Sequence, residues 1–387
     1  EQAFVLETAQ QAVISCFGAS VIEKNGLDRE PILLCALGGL LSYLEETQKS
    51  SLGSLNTLYV YTHGQYMELD LTARRNLELC ETMRTKEKKG SLLSVIDRTK
   101  TAMGSRMIRQ WLEKPLLNPL HIQKRQAAVG ALCDDPILRS NLGDELRQMF
   151  DVERLISRVV YGTANCRDLR ALQTSLEHLP KVKELLEQVD VPLLCELNSR
   201  LDPLRDIVSL VVSAIVDEPP VSVREGGLIR AGYRQEVDEL RELATGGRGK
   251  LVEIEQRERE ATGIKTLKIG YNRVFGYYLE VTKTNLDAVP KHYIRKQTLA
   301  NCERYITEEL KQLEGQVLGA QERLTALEYD LFCEIREHVA SQVHRIQRTA
   351  HALSHLDVLT ALGDLAADNH YVCPEVDLSG HIEIRDG

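Results

Sequence analysis

The sequence has no pair of cysteines at the C-x-x-C spacing, although it contains nine cysteines between Cys16 and Cys373. This absence argues against a zinc ribbon, and an odd number of scattered cysteines does not indicate a disulfide framework. A reducing, cytosolic compartment is therefore the expectation. The apolar stretch around residues 31–44 is interrupted by Gly38 and Gly39 and is too short to span a membrane.

The sequence also lacks the short motifs G-x-S-x-G and H-E-x-x-H that mark common catalytic centres. A glycine-rich run ends at Lys250, but Ala244 stands where the Walker motif requires glycine, and Leu251 stands where it requires Ser or Thr. His351 and His355 have the i, i+4 spacing of a metal-binding helix face, yet no third ligand accompanies them. We therefore predict no catalytic residue, no metal site and no cofactor site in this chain.

Aromatic residues are scarce, at 5%, whereas 43% of the residues are hydrophobic. This balance is typical of a leucine-rich helical protein. From Leu92 to Asp202 the apolar spacing is helical almost throughout, which predicts an α-helical core. The chain starts without Met and stops within an apparent strand at residues 382–385, so we expect it to be a piece of a longer protein.

Two heptad repeats flank a short β-patterned segment. Their apolar residues alternate spacings of four and three, which is typical of coiled-coil seams. We predict two long antiparallel helices, the second running from about Thr307 past Ile346 and followed by a last helix over 349–364. The first repeat comprises Tyr233, Val237, Leu240, Ala244, Gly247, Leu251 and Ile254, and the second comprises Leu310, Leu313, Val317, Ala320, Leu324, Leu327 and Leu331.

The segment between the repeats alternates apolar and polar residues over 264–283 and contains a third β-like run at 292–299. We predict a hairpin that turns near Asn272 and a small sheet of three strands. Residues 261–304 contain eight basic and three acidic residues, a net charge of +5 in a chain whose total charge is −9. A basic tip on an acidic body indicates a polyanionic partner. The alternative is a solvated face whose lysine and arginine stems cover the sheet.

Four strings resemble the bacterial MutS family of DNA mismatch repair. They occur in order along the chain and consist of residues 97–112, Asp151-Val-Glu-Arg-Leu155, Gly270-Tyr-Asn-Arg-Val-Phe-Gly-Tyr-Tyr278, and the pair Arg295-Lys-Gln-Thr-Leu299 and Glu303-Arg-Tyr305. The resemblance implies a mainly α fold, in which a helical core carries two long antiparallel lever helices with a small β-rich clamp between them. It assigns 1–52 to the end of a connector domain, 53–247 to the first half of the core and lever, 248–307 to the clamp, 308–372 to the returning lever and core, and 373–387 to the start of an ATPase domain.

The resemblance also implies a function for the clamp. Family members close two clamps of a dimer around double-stranded DNA and relay the state of an ATPase domain, which uses ATP and Mg²⁺, to the partner MutL in the bacterial cytoplasm and nucleoid. The family's mismatch-reading domain and Walker motif have no counterpart in these residues. The matched strings make Asn272, Arg273, Arg295, Lys296, Asn301 and Arg304 the candidates for contacts with the DNA backbone.

Two other functions are compatible with the pattern. Coiled-coil arms also occur as structural modules that bind a protein or RNA partner. An enzyme would require a pocket with convergent titratable groups, which the sequence does not indicate. Salt-sensitive binding to duplex DNA distinguishes the clamp from the structural arm.

Overall fold

The computed structural model describes residues 2–48, 55, 58, 60, 64–272 and 276–385, except the side chains of residues 48, 247 and 248. The helices are α1 (Leu6–Phe17), α2 (Ser20–Lys24), α3 (Pro31–Gln48), α4 (Leu71–Asn76), α5 (Leu92–Ile96), α6 (Ala102–Glu113), α7 (Pro119–Asp134), α8 (Pro136–Arg147), α9 (Val152–Val160), α10 (Cys166–Glu177), α11 (Leu179–Glu187), α12 (Pro192–Arg200), α13 (Arg205–Ala214), α14 (Gln235–Thr262), α15 (Glu308–Ser341) and α16 (Val343–Asn369). The strands are β1 (Lys268–Asn272), β2 (Gly276–Thr282), β3 (Ile294–Thr298) and β4 (Cys302–Ile306). Among these helices, none combines the length and apolar character needed to cross a membrane.

The predicted fold class is confirmed: the chain is mainly α-helical, and its small sheet lies between α14 and α15 in sequence. The chain divides into two compact units. The first contains Glu1–Ala164, Asp168–Ser209 and Arg336–Gly387, and the second contains Asn165–Arg167 and Leu210–Ile335.

The first unit is built around α16. This helix is buried along most of its length and packs against α6, α7, α8, α9 and α12. Its buried positions include polar side chains, among them Asp357, which is fully buried. The predicted end of the second long helix, past Ile346, was wrong: α15 ends at Ser341 and α16 begins at Val343. No glycine or proline marks this break, so the sequence gives no local signal for it.

The N-terminal part of the first unit is held by a close crossing of α1 and α3. A Cβ atom added at Gly38 would lie 2.3 Å from the Cβ of Ala9, so only glycine permits this approach. Val13, Leu34 and Leu41 are buried in the cluster that forms around the crossing. The glycines that interrupt the apolar run at 31–44 therefore serve helix packing.

The second unit contains the two heptad helices and the sheet. Tyr233 precedes the first helix, which begins at Gln235 and ends at Thr262, where Gly263 adopts a left-handed conformation with φ of 71°. Most other heptad positions are buried or half-buried. Two of the half-buried positions, Leu240 and Val317, line an open cleft between the helices.

The sheet has four antiparallel strands in the order β1-β2-β4-β3, so the prediction of three strands was wrong. The missing strand, β4, is central, although Glu303 and Arg304 in its middle carry charges. Glu303 is nevertheless buried, because its carboxylate accepts a 2.5 Å hydrogen bond from the Tyr305 hydroxyl. Burial, together with this hydrogen bond, raises the pKa of Tyr305 to about 12, so the phenol remains a donor at neutral pH.

Candidate nucleic-acid interface

One face of the sheet packs against α14 and α15. Leu279 and Val281 on β2 and Tyr305 on β4 point to this face and are buried with Ile254 and Leu310 from the helices. Since side chains alternate along a strand, the residues between them point to the opposite face. The apolar half of the sheet is thus used for attachment, and the other half is left for polar residues.

On the outer face, Arg304 is held in place by three neighbours. Its guanidinium lies 4.2 Å from the ring centroid of Tyr278, its Nε lies 3.3 Å from a carboxylate oxygen of Glu280, and its Nη1 donates a 3.0 Å hydrogen bond to Gln297. The tyrosine lies across Gly270, where an added Cβ would come within 2.7 Å of the ring. The structure therefore places the predicted contact Arg304 inside a packed network, with only 19% of its side chain exposed.

The remaining basic residues of the tip are exposed. Arg295 lies on the edge strand β3, 64% exposed, with Glu303 3.5 Å away. Lys296 is also exposed and lies at an irregularity in the pairing of β3 with β4, between Arg295 and Gln297. Four further exposed lysines surround the sheet, namely Lys265, Lys268, Lys283 and Lys291.

These lysines carry uncompensated positive charge. Across the described residues, the ammonium groups of Lys265, Lys268, Lys283, Lys291 and Lys296 have no carboxylate within 4 Å. Glu280 and Glu303, two of the three acidic residues of the segment, are occupied by arginine. The local charge excess is therefore presented as free ammonium groups, which suits a ligand with many negative charges.

The structure does not bring the predicted contacts into one cluster. Asn272 is the last residue of β1, at the hairpin. The strand that follows the hairpin, β2, lies beside α15, where the amide of Tyr277 donates a 3.3 Å hydrogen bond to Glu314. Asn301 lies at the opposite end of the sheet, where its carbonyl accepts a 3.2 Å hydrogen bond from the amide of Lys283. Arg273 lies outside the described residues. The predicted contacts that the structure describes are thus spread along the sheet, with Asn272 and Asn301 at its opposite ends and Arg304 and Lys296 within the strands.

Sequence reasoning counted the four surrounding lysines in the charge of the tip but did not select them as contacts. All four lie outside the strings that carry the family resemblance, and Lys268 precedes one of these strings by two residues. Only the folded structure identifies them, because it shows that arginines form ion pairs with Glu280 and Glu303 and that these carboxylates are not paired with the lysines. Strand pairing had to be known before these partners could be assigned.

The two histidines at metal-ligand spacing lie in a cluster of aromatic rings in the first unit. The rings of His351 and His355 are 4.6 Å apart, and His355 meets the edge of Trp111, over which Arg125 stacks at 3.4 Å. Burial, reinforced by the charge of neighbouring cationic groups, lowers the pKa of His355 to about 3, so its ring is neutral at physiological pH. In the part of the chain that the structure describes, no three His, Cys, Asp or Glu side chains are placed to hold a metal ion.

Two family models match the sequence of this chain. The family model described as MutS domain III matches residues 72–363, and the one described as MutS domain II matches residues 1–56. The chain belongs to the MutS family. The domain III match contains all of α14, the sheet and α15, and the domain II match contains α1 to α3.

Curated MutS relatives align with almost the whole chain. DNA mismatch repair protein MutS of Alkaliphilus oremlandii is 47% identical over 379 residues, which covers 98% of this chain and 43% of the relative. The MutS protein of Symbiobacterium thermophilum is 50% identical over 369 residues, or 95% and 42% of the two chains. That of Acetivibrio thermocellus is 47% identical over 384 residues, or 99% and 44%. The chain therefore spans less than half the length of these relatives.

The strings that carry the MutS resemblance bind one another in the fold. Arg106, from the first string, donates two 2.7 Å hydrogen bonds to Asp151 and one of 2.6 Å to Glu153, both in the second string. Burial alone would raise the pKa of Asp151, but the bonds from Arg106 outweigh it and hold that pKa below its ordinary value. In the tip, Gly270 and Tyr278 from one string likewise pack with Arg304 from another. These MutS strings are therefore also packing motifs.

Proposed function

We propose that this chain is the part of a DNA mismatch repair protein that grips duplex DNA by its phosphates, without reading its sequence. The observation that carries the proposal is the set of exposed lysines around the tip sheet, which have no carboxylate within 4 Å among the described residues. Lysine is a compact point charge that binds phosphate without demanding a particular base. Lys296 is one of these lysines, Arg295 adds a further positive charge, and Asn272 and Asn301 add neutral amide donors. Arg273 is proposed with them from the sequence.

The two helices act as levers in this proposal. α14 has 28 residues and α15 has 34, which corresponds to about 42 Å and 51 Å at 1.5 Å per residue. We propose that they transmit movement between the DNA-bound tip and an ATPase domain of the whole protein. In that protein we also propose ATP and Mg²⁺ as ligands, a homodimer that pairs two tips around the duplex, and MutL as a partner. None of the residues described above is assigned to ATP or Mg²⁺.

The proposal is tested by fluorescence anisotropy with a labelled duplex and the variant Lys283→Glu/Lys296→Glu. We expect its dissociation constant to rise at least about tenfold, and the slope of log K against log salt concentration to fall by about two, because each phosphate contact contributes about 0.9. The matched control is Lys24→Glu/Lys89→Glu, which makes the same charge change at exposed positions of the first unit. The control should bind within about twofold of the unmodified chain.

If both double variants bound the duplex equally weakly, only the net charge of the chain would matter, and the tip would not be the DNA-binding surface. Preference for single-stranded RNA over duplex DNA, or no salt-dependent duplex binding at all, would favour the structural arm. The competitor is therefore an unlabelled RNA of the same length.

Arg304 provides a separate prediction, since its neighbours assign it to holding the tip together. Replacing it with methionine removes the ion pair with Glu280 and the cation–π contact with Tyr278, and should destabilise the tip by about 1–2 kcal/mol. The salt slope of DNA binding should change by less than about 0.5. Urea unfolding and anisotropy measured on the same protein check both effects. A full unit of slope lost in Arg304→Met would instead make Arg304 a phosphate contact.

A further inference from the structure

Two ties join the lever helices at different levels. At one level, Arg241 on α14 donates a 2.9 Å hydrogen bond to the buried carboxylate of Glu328 on α15. Near the sheet, Leu251 and Ile254 on α14 are buried in one cluster with Leu310 and Leu313 on α15. Between these ties, the helices enclose an open cleft of about 1100 Å³.

Glycines of both helices lie at the level of this cleft. Gly246 on α14 and Gly315 and Gly319 on α15 line the cleft, and Gly249 lies one turn further along α14. On each helix, the two glycines lie between the residue of the Arg241–Glu328 tie and the residues of the apolar tie near the sheet. Because the helices are antiparallel, the four glycines therefore lie at a similar distance from the sheet. Each helix therefore carries its glycines at the level where the cleft lies between the two helices.

Packing does not account for these glycines. A Cβ atom added at Gly246, Gly249, Gly315 or Gly319 would meet no atom within 4 Å, and none of the four has a positive φ. In the same unit, an added Cβ would lie 2.7 Å from the Tyr278 ring at Gly270 and 1.9 Å from the Glu314 carboxylate at Gly276. The Tyr278 ring requires glycine at Gly270, and the left-handed φ of 74° favours glycine at Gly276, whereas the lever glycines lower helix stability where alanine would fit.

We propose that this paired glycine segment is a hinge built into both levers. Bending of one helix alone would be opposed by its straight partner through the two ties. Glycines at one level in both helices allow the sheet and its apolar cluster to swing as one body about the Arg241–Glu328 tie. The device concerns the motion of the arm and does not depend on the ligand of the tip.

The variant Gly246→Ala/Gly249→Ala/Gly315→Ala/Gly319→Ala tests the hinge. In the unmodified chain, we expect amide hydrogen exchange at 243–252 and 314–321 to be faster than in the flanking turns. An interior glycine weakens helix formation about fivefold relative to alanine, so two replacements in each helix should slow local exchange more than about tenfold. The control Glu253→Ala/Lys311→Ala alters exposed residues that already favour helix, and should change exchange less than about twofold.

Movement of the tip is measured by energy transfer between dyes on non-natural amino acids at the exposed positions Glu236 and Lys291. We expect a broad distance distribution that narrows in the fourfold variant and stays broad in the control. Each glycine pair is also replaced separately, so a folding defect in the fourfold variant does not prevent the test. An unchanged distribution in all the alanine variants, or no faster exchange at the cleft in the unmodified chain, would overturn the hinge.

Discussion

Replacement of Asp357 with alanine is expected to lower the free energy of unfolding of the first unit by roughly 3–5 kcal/mol. The buried carboxylate accepts hydrogen bonds from the backbone amides of Lys100 and Thr101, at 2.9 Å and 2.8 Å, and from the Thr101 hydroxyl at 2.6 Å. Each buried donor that loses its acceptor costs about 1–3 kcal/mol. The loss falls on the N-terminus of α6, where Thr101 also caps the helix by accepting from the amide of Gly104. Urea unfolding monitored by circular dichroism measures the change.

Asp368 provides the matched control on the same helix. It forms an ion pair with Arg98, but 64% of its side chain is exposed, so Asp368→Ala should cost less than about 1 kcal/mol. Asp357→Asn keeps one acceptor oxygen and should lie between the two. An Asp357→Ala variant no less stable than Asp368→Ala would show that the α6 terminus finds other acceptors.

Asp357 also shows why the recognisable strings could be identified but not explained from the sequence. The first string contains the basic residues Arg98, Lys100, Arg106 and Arg109, which by themselves are typical of a solvated helix face. In the fold, its backbone amides bind Asp357, Arg98 pairs with Asp368, and Lys100 pairs with Asp364, all on α16. These partners lie more than 250 residues along the chain. Local periodicity cannot report a contact at that separation, so the helix was predictable and its anchor was not.

The tip shows the same division between predictable and unpredictable features. Alternation predicted the β1–β2 hairpin, and the charge balance predicted an exposed basic surface. Strand β4 was missed because Glu303 and Arg304 in its centre resemble a helix entry until their partners Tyr305 and Tyr278 are known. The choice of phosphate contacts depends on which carboxylates are already occupied, and that depends on strand register.

The largest effect expected in the second unit follows from Glu328. Its side chain is fully buried and binds Arg241 at 2.9 Å, together with the backbone amides of Gly227 and Leu228. Gly226 and Gly227 both have positive φ values, of 78° and 73°, which bring the loop amides onto the carboxylate. Replacement by alanine removes the acceptor of two amides and one guanidinium, and should destabilise this unit by about 3–4 kcal/mol.

The matched control for Glu328→Ala is Glu334→Ala, on the same helix. Glu334 is 68% exposed and lies 3.8 Å from Arg234, so its loss should cost less than about 0.5 kcal/mol. Hydrogen exchange separates local from global effects: in Glu328→Ala, the loop at 222–230 and the start of α14 should lose protection first. If exchange rose equally along all of α15, the carboxylate would stabilise the helix as a whole. Selective loss at the loop would establish that one buried acid fixes the base from which the lever helices extend.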